Sequence, residues 1–76
     1  MDIQSAFGLA IKSVRTNAGI SQEKYALMIG MDRTYYASVE SGKRNISITN
    51  ISKIASGFNI TLSELFAIVD SLCGDK

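Results

Sequence analysis

The sequence predicts an all-α fold, a compact bundle of five helices that forms a single domain over residues 1–76. Two observations predict this class. Apolar residues recur throughout the chain at the three- and four-residue intervals of amphipathic helices, and no long stretch alternates apolar and polar residues as a strand would. The length of 76 residues suits one domain, and the apolar content of 46% is that of a folded chain.

Local chemistry at the helix ends sets the bounds of the five predicted helices. The first ends before Gly19, which can adopt the left-handed conformation of a helix C-terminus. Gly57 closes the fourth helix, and Glu64 completes a capping box in the fifth. The later helices each follow a capping residue: Ser21, Asp32, Ser47 and Thr61. We expect helices at about 2–16, 22–29, 33–40, 48–56 and 62–72.

The second and third helices predict a helix-turn-helix. They are short, and the tight break at residues 30–32 separates them, which is the spacing of this supersecondary structure. Gly30 can adopt the positive φ that the sharp turn needs. Met31, Tyr36 and Val39 can fill the angle between the helices. The opposite face of the third helix is then polar or small, and it is free to enter a groove of DNA.

Charge and composition narrow the classes of function. Between residues 12 and 44 there are six basic and three acidic residues, so this part carries the positive potential that a nucleic-acid binder needs. The chain has no histidine and no glycine-rich phosphate loop, so we predict no enzyme activity, metal, cofactor or small-molecule ligand. The absence of a membrane-length apolar run or a leader, together with the lone Cys73, predicts a cytoplasmic protein.

The chain resembles the Cro/phage-repressor (XRE) type of helix-turn-helix proteins over roughly residues 15–70. The matching residues are Ser21-Gln22-Glu23, Ala26, Gly30, Val39-Glu40 and Ser41-Gly42. The resemblance implies a lambda-repressor-like DNA-binding domain. The segments 32–35 and 43–45 (DRTY and KRN) are similar to the controller proteins of restriction-modification systems, which are free-standing dimers that time expression of an endonuclease.

This resemblance assigns roles to individual residues. The implied base contacts come from Arg33, Thr34, Tyr35, Ala37 and Ser38. The implied phosphate contacts come from Ser21, Gln22, Ser41, Lys43, Arg44 and Asn45. Tyr35 is expected to point outward and Tyr36 to lie in the core. Arg15 and Glu40 are expected to form a partly buried structural ion pair that locks the recognition helix onto the rest of the domain.

The last helix, about 62–72, carries more apolar surface than its own core needs, so it is the expected dimerisation helix. The expected interface residues are Leu62, Leu65, Phe66 and Val69. A twofold dimer would set two recognition helices about 34 Å apart on a near-palindromic operator. The family further implies activation at low occupancy, repression at high occupancy, RNA polymerase as a further partner, and a bacterial or phage-encoded protein that associates with the nucleoid through its operator.

Three alternatives stay open at this point. The chain could be a phage-type repressor or the antitoxin of a toxin–antitoxin pair, and co-purification of a second protein would favour the antitoxin. It could also be a protein-interaction module that keeps the fold without binding DNA. Arg33 and the pair Lys43-Arg44 favour DNA binding over that last alternative.

Overall fold

Each helix begins where the sequence places a capping side chain. The side-chain oxygens of the four predicted caps accept hydrogen bonds of 2.9 to 3.3 Å from the backbone N–H three residues on: Ser21 from Lys24, Asp32 from Tyr35, Ser47 from Asn50 and Thr61 from Glu64. Glu64 returns a bond to the Thr61 N–H at 2.8 Å, so the predicted capping box is present. Asp2 caps the first helix in the same way at 2.7 Å, whereas the sequence pattern predicts it as the first residue inside that helix.

The structure is a computed structural model that describes residues 1–74, and within them it contains five helices and no strand. These are α1 (Ile3–Asn17), α2 (Gln22–Met28), α3 (Arg33–Glu40), α4 (Ile48–Gly57) and α5 (Leu62–Cys73). Every bound lies within one residue of its predicted position, and the all-α class is confirmed. None of these helices is long and apolar enough to span a membrane.

The connections between helices depend on a few special backbone positions. The two glycines predicted to turn the chain have positive φ, at 71° for Gly19 and 67° for Gly30. Gly57 behaves differently, because it is the last residue of α4 and the left-handed position falls on Asn59, at φ 60°. Gly57 is needed for space instead, since a Cβ there would collide with the Tyr25 hydroxyl.

Helix α1 packs against both α3 and α5, and the aromatic residues of α2 and α3 fill the space beside it. The Tyr25 ring stacks on Phe58 with ring centroids 4.2 Å apart, and its edge meets Tyr36 at 5.6 Å. The Tyr25 hydroxyl donates to the Ile54 carbonyl at 2.6 Å, which satisfies a polar group inside the core. Tyr36 itself is fully buried, as predicted.

Helix α5 contributes most of its apolar residues to the core of the monomer. Leu65 and Val69 are fully buried, and Phe66 is half-buried with its ring 6.0 Å from that of Phe7. The expectation that Leu65 and Val69 lie at a dimer interface is therefore wrong, because their surface is already covered within one chain. Of the four residues named for that interface, Leu62 is the one left largely exposed, at 41%.

Candidate nucleic-acid interface

Helix α3 is held by buried contacts along one face. Tyr36 and Val39 lie in the core, and Met31 in the preceding turn is buried with them. The Met31 N–H donates to the Ala26 carbonyl at 2.9 Å, which ties the turn to α2. Helix α1 approaches the end of α3 so closely that a Cβ on Gly8 would lie 2.7 Å from the Val39 carbonyl oxygen. The position of α3 is thus fixed by close backbone packing.

The opposite face of α3 is open to solvent. Arg33 and Thr34, at its first two positions, are exposed, and Ala37 and Ser38 one turn further on are half-buried. This is the placement that a recognition helix requires, because its first residues reach base edges when the helix lies in the major groove.

Arg33 has a partner that the sequence pattern did not indicate. Its Nη1 lies 3.2 Å from Oε1 of Glu23 on α2, and the two side chains are 63% and 72% exposed. An ion pair this exposed contributes roughly 0–1 kcal/mol to stability. Arg33 can therefore leave Glu23 for another acceptor with little loss.

A buried polar cluster closes the other end of α3. Arg15 donates twice to Glu40, from Nε to Oε2 at 2.6 Å and from Nη2 to Oε1 at 2.9 Å. Its remaining Nη1 donates to the Ile20 carbonyl at 2.8 Å, and Gln22 Nε2 donates to Glu40 Oε1 at 2.9 Å. Burial alone would raise the pKa of Glu40. The hydrogen bonds that its carboxylate accepts, those from Arg15 foremost, and the positive charge of Arg15 together outweigh burial and hold that pKa below its ordinary value of 4.5.

Tyr35, which is expected to point outward, is only partly exposed because neighbouring side chains contact it. Its side chain is half-buried and turns toward α4, where Asn50 Nδ2 donates to its hydroxyl at 3.2 Å. The Arg44 guanidinium carbon lies 5.0 Å from the centre of the Tyr35 ring, within range of a cation–π contact. Tyr35 is therefore held between the loop after α3 and the first turn of α4.

Arg44 also contacts α3 itself. Its Nε donates to Ser38 Oγ at 3.4 Å, and Ser38 Oγ in turn donates to the Tyr35 carbonyl at 2.7 Å. The exposed loop cation is thus attached to the recognition helix and to Tyr35.

The other residues implied for phosphate contact lie on the surface around α3. Lys43 and Asn45 are exposed in the loop that follows it. Ser41 is exposed and donates from Oγ to the Ser38 carbonyl at 3.0 Å, while the exposed Ser21 uses its oxygen to cap α2. Gln22 is half-buried because its amide lies against Glu40.

Three residues of this site were missed in the sequence: Gly8, Glu23 and Asn50. Glu23 lies next to Gln22 in the α2 segment that carries the family resemblance, so its position was a signal that could have drawn attention to it. Gly8 and Asn50 carry no such signal, because each acts through a contact with a residue at least 15 positions away in the chain.

Comparison with known proteins decides the family. A helix-turn-helix family model matches residues 11–65. Control protein C.MunI of a Mycoplasma species is 49% identical over 70 residues, covering 91% of this chain and 95% of its own length. The chain belongs to the helix-turn-helix family of restriction-modification control proteins. The resemblance to the XRE type of helix-turn-helix proteins is confirmed, and so is the narrower resemblance to the controller proteins of restriction-modification systems.

Solved structures of control proteins share the fold. The controller protein C.AhdI from Aeromonas hydrophila is 43% identical, with a TM-score of 0.79, over 83% of this chain and 96% of that one. The controller protein C.Esp1396I, solved as a tetramer in complex with its natural 35 base-pair operator, is 27% identical with a TM-score of 0.85 over 93% of each chain. This control protein is thus a helix-turn-helix transcription regulator, and the alternatives raised from the sequence are not favoured.

Proposed function

We propose that this control protein regulates the transcription of a restriction-modification system as a homodimer bound to a near-palindromic operator. It acts in the cytoplasm, by binding and not by catalysis, activating at low occupancy and repressing at high occupancy. RNA polymerase is the partner that activation requires. The observation that carries the proposal is α3, which is buried along one face and presents Arg33 and Thr34 at its exposed start.

The exposed start of α3 reads base edges in the major groove. Arg33 exchanges Glu23 for O6 and N7 of a guanine, a bidentate contact worth about 1–3 kcal/mol of discrimination. Thr34 and Ser38 offer hydroxyl groups, Ala37 leaves room for a thymine methyl group, and the Tyr35 hydroxyl reaches the same surface from its position against α4.

Polar groups around α3 bind the phosphates on either side of the groove and fix its register. The proposed set is Ser21, Gln22, Ser41, Lys43, Arg44 and Asn45. Gln22 offers its amide from the start of α2 while it braces Glu40, and the exposed loop after α3 supplies the cations.

The exposed cation Lys43 allows the phosphate role to be measured. Replacing Lys43 with Ala is expected to weaken binding to every DNA sequence alike and to reduce the salt slope of log K by about one unit, because one counterion fewer is released. The equivalent change at Lys12, exposed on α1, is the matched control. An unchanged slope for Lys43→Ala would remove this residue from the phosphate set.

Some apolar residues of α2, α4 and α5 are exposed to solvent in the monomer. In the proposed dimer, a second copy of the chain covers them. Met28, Ile48 and Leu62 line one surface there and are 55%, 70% and 41% exposed. We call these three residues the dimer surface. An exposed apolar patch of this kind is typical of a protein interface, and a twofold axis through it would pair identical residues.

Replacing Ile48 with Asp tests the dimer surface. Losing the burial of one isoleucine in each protomer, about 1.5–3 kcal/mol each, is expected to weaken dimerisation about 100-fold or more, as measured by analytical ultracentrifugation. The fold should persist because Ile48 is 70% exposed. Leu27→Asp is the matched control, since Leu27 is 80% exposed and lies outside the dimer surface. Dissociation by Leu27→Asp with an intact Ile48→Asp dimer would place the interface elsewhere.

The function itself is tested by a gel-shift titration on the DNA just upstream of the gene, with unlabelled competitor and at two salt concentrations. We expect discrete shifted bands that resist competitor, and two successive bands if dimers fill adjacent sites. A smear that competitor removes at both salt concentrations would contradict specific operator binding.

A further inference from the structure

Asn50 lies outside the helix-turn-helix but contacts its recognition helix. It is half-buried in the first turn of α4, where its own N–H is bound by the Ser47 cap at 3.3 Å. Its side-chain Nδ2 donates to the Tyr35 hydroxyl at 3.2 Å. The amide is therefore presented by a capped helix turn, and it contacts α3 at one defined atom.

This hydrogen bond determines what the Tyr35 hydroxyl can do. A phenol oxygen has one hydrogen to donate and two lone pairs that accept. When Asn50 occupies a lone pair, the hydrogen of the hydroxyl stays available for a second partner. The Arg44 guanidinium beside the ring, 5.0 Å from its centre, limits where the ring can swing. Together the two contacts fix both the position of the hydroxyl and its role as a donor.

We propose that Asn50 is a positioning residue for sequence recognition, which holds the Tyr35 hydroxyl as a hydrogen-bond donor toward an acceptor on the operator. The acceptors that DNA offers in the major groove are O6 and N7 of guanine, N7 of adenine and O4 of thymine. Asn50 acts through Tyr35 and is not itself a base contact. The proposal rests on operator binding by α3 and adds to it a residue of α4 that sets specificity.

The test is a double-mutant cycle on the full chain, with Asn50→Ala, Tyr35→Phe and the two combined. Each variant is titrated against operator DNA and against random-sequence DNA, and its folding is checked by circular dichroism and thermal melting. A neutral hydrogen bond is worth about 0.5–1.5 kcal/mol, so Asn50→Ala should weaken operator binding about 2- to 12-fold. Binding to random DNA should not change.

The decisive result is the behaviour in the Tyr35→Phe background, which lacks the hydroxyl. There, Asn50→Ala is expected to have no further effect on operator affinity. Asn17→Ala, at an exposed asparagine that ends α1, is the matched control and should match the unmodified chain.

Asn50→Asp sharpens the test, because a carboxylate keeps the shape but accepts and cannot donate. It should capture the Tyr35 hydrogen and lower operator affinity further when Tyr35 is present than when Phe replaces it. An equal loss from Asn50→Ala on operator and random DNA, or an equal loss in the Tyr35→Phe background, would overturn the proposal while leaving operator binding intact. If the unmodified chain does not prefer its operator, both proposals fail.

Discussion

Two ion pairs lie at the two ends of α3, and they differ in burial. At the C-terminal end, the Arg15 and Glu40 side chains are only 9% and 3% exposed and form two hydrogen bonds. At the N-terminal end, the Arg33 and Glu23 side chains are 63% and 72% exposed, and one contact of 3.2 Å joins them. The buried pair fixes the helix on the domain, and the exposed pair leaves its cation free to exchange partners. One helix thus combines a rigid anchor with an adaptable contact surface.

The largest expected effect comes from breaking the buried pair. Replacing Arg15 with Ala leaves the Glu40 charge buried without its partner, which should lower the free energy of unfolding by about 3–5 kcal/mol. That is a large share of the roughly 5–15 kcal/mol that stabilises a small domain. Urea denaturation measures it. Arg33→Ala is the matched control and should change stability by less than about 1 kcal/mol. Similar losses of unfolding free energy in the two variants would contradict the difference between the buried and the exposed ion pair.

The pH dependence of the free energy of unfolding distinguishes the buried ion pair from the exposed one. The pKa of Glu40 in the folded chain lies below its ordinary value of 4.5. Its contribution is therefore complete above that value and is lost as the pH falls through the folded pKa. Unfolding measured between pH 7 and pH 3 should show the gap between the wild type and Glu40→Gln narrowing below about pH 4.5. Asp2, whose pKa is also lowered by its cap bond, acts equally in both chains. A gap that stays constant to pH 3 would contradict this assignment.

The smallest effect is expected from Glu23→Gln. Removing the exposed carboxylate frees Arg33 and takes a negative charge away from the proposed DNA face, so affinity for random DNA should rise by about 1 kcal/mol or less. The ratio of operator to random binding should not fall, since Arg33 no longer has to leave a partner in order to bind guanine. Glu64→Gln, on the exposed start of α5, is the control for charge alone. A lower affinity for random DNA would show that Glu23 orients Arg33 for binding.

The two ends also show how much could be predicted from the sequence. Helix bounds and caps depend on residues within a few positions of each other, so Ser21, Asp32 and Thr61 were enough to place three helix starts. The family resemblance predicted that Arg15 pairs with Glu40, although 25 positions separate them in the sequence.

The rest depends on packing that no local pattern records. The apolar face of α5 was visible in the sequence, but its division between monomer core and open surface was not, so Leu65 and Val69 were misassigned. The orientation of Tyr35 follows from where α4 lies, 15 residues further on at Asn50, and it could not be derived from α3 alone.

Specific operator binding depends most on base reading by Arg33 at the exposed end of α3. Methylation interference on the operator tests it directly, because a methyl group on guanine N7 blocks one arm of the bidentate contact. For the wild type we predict guanines, placed symmetrically in the two half-sites, whose methylation prevents binding. In Arg33→Ala, with unchanged thermal stability, this interference should disappear. Interference that persists in Arg33→Ala, or its absence from the wild type, would contradict the claim.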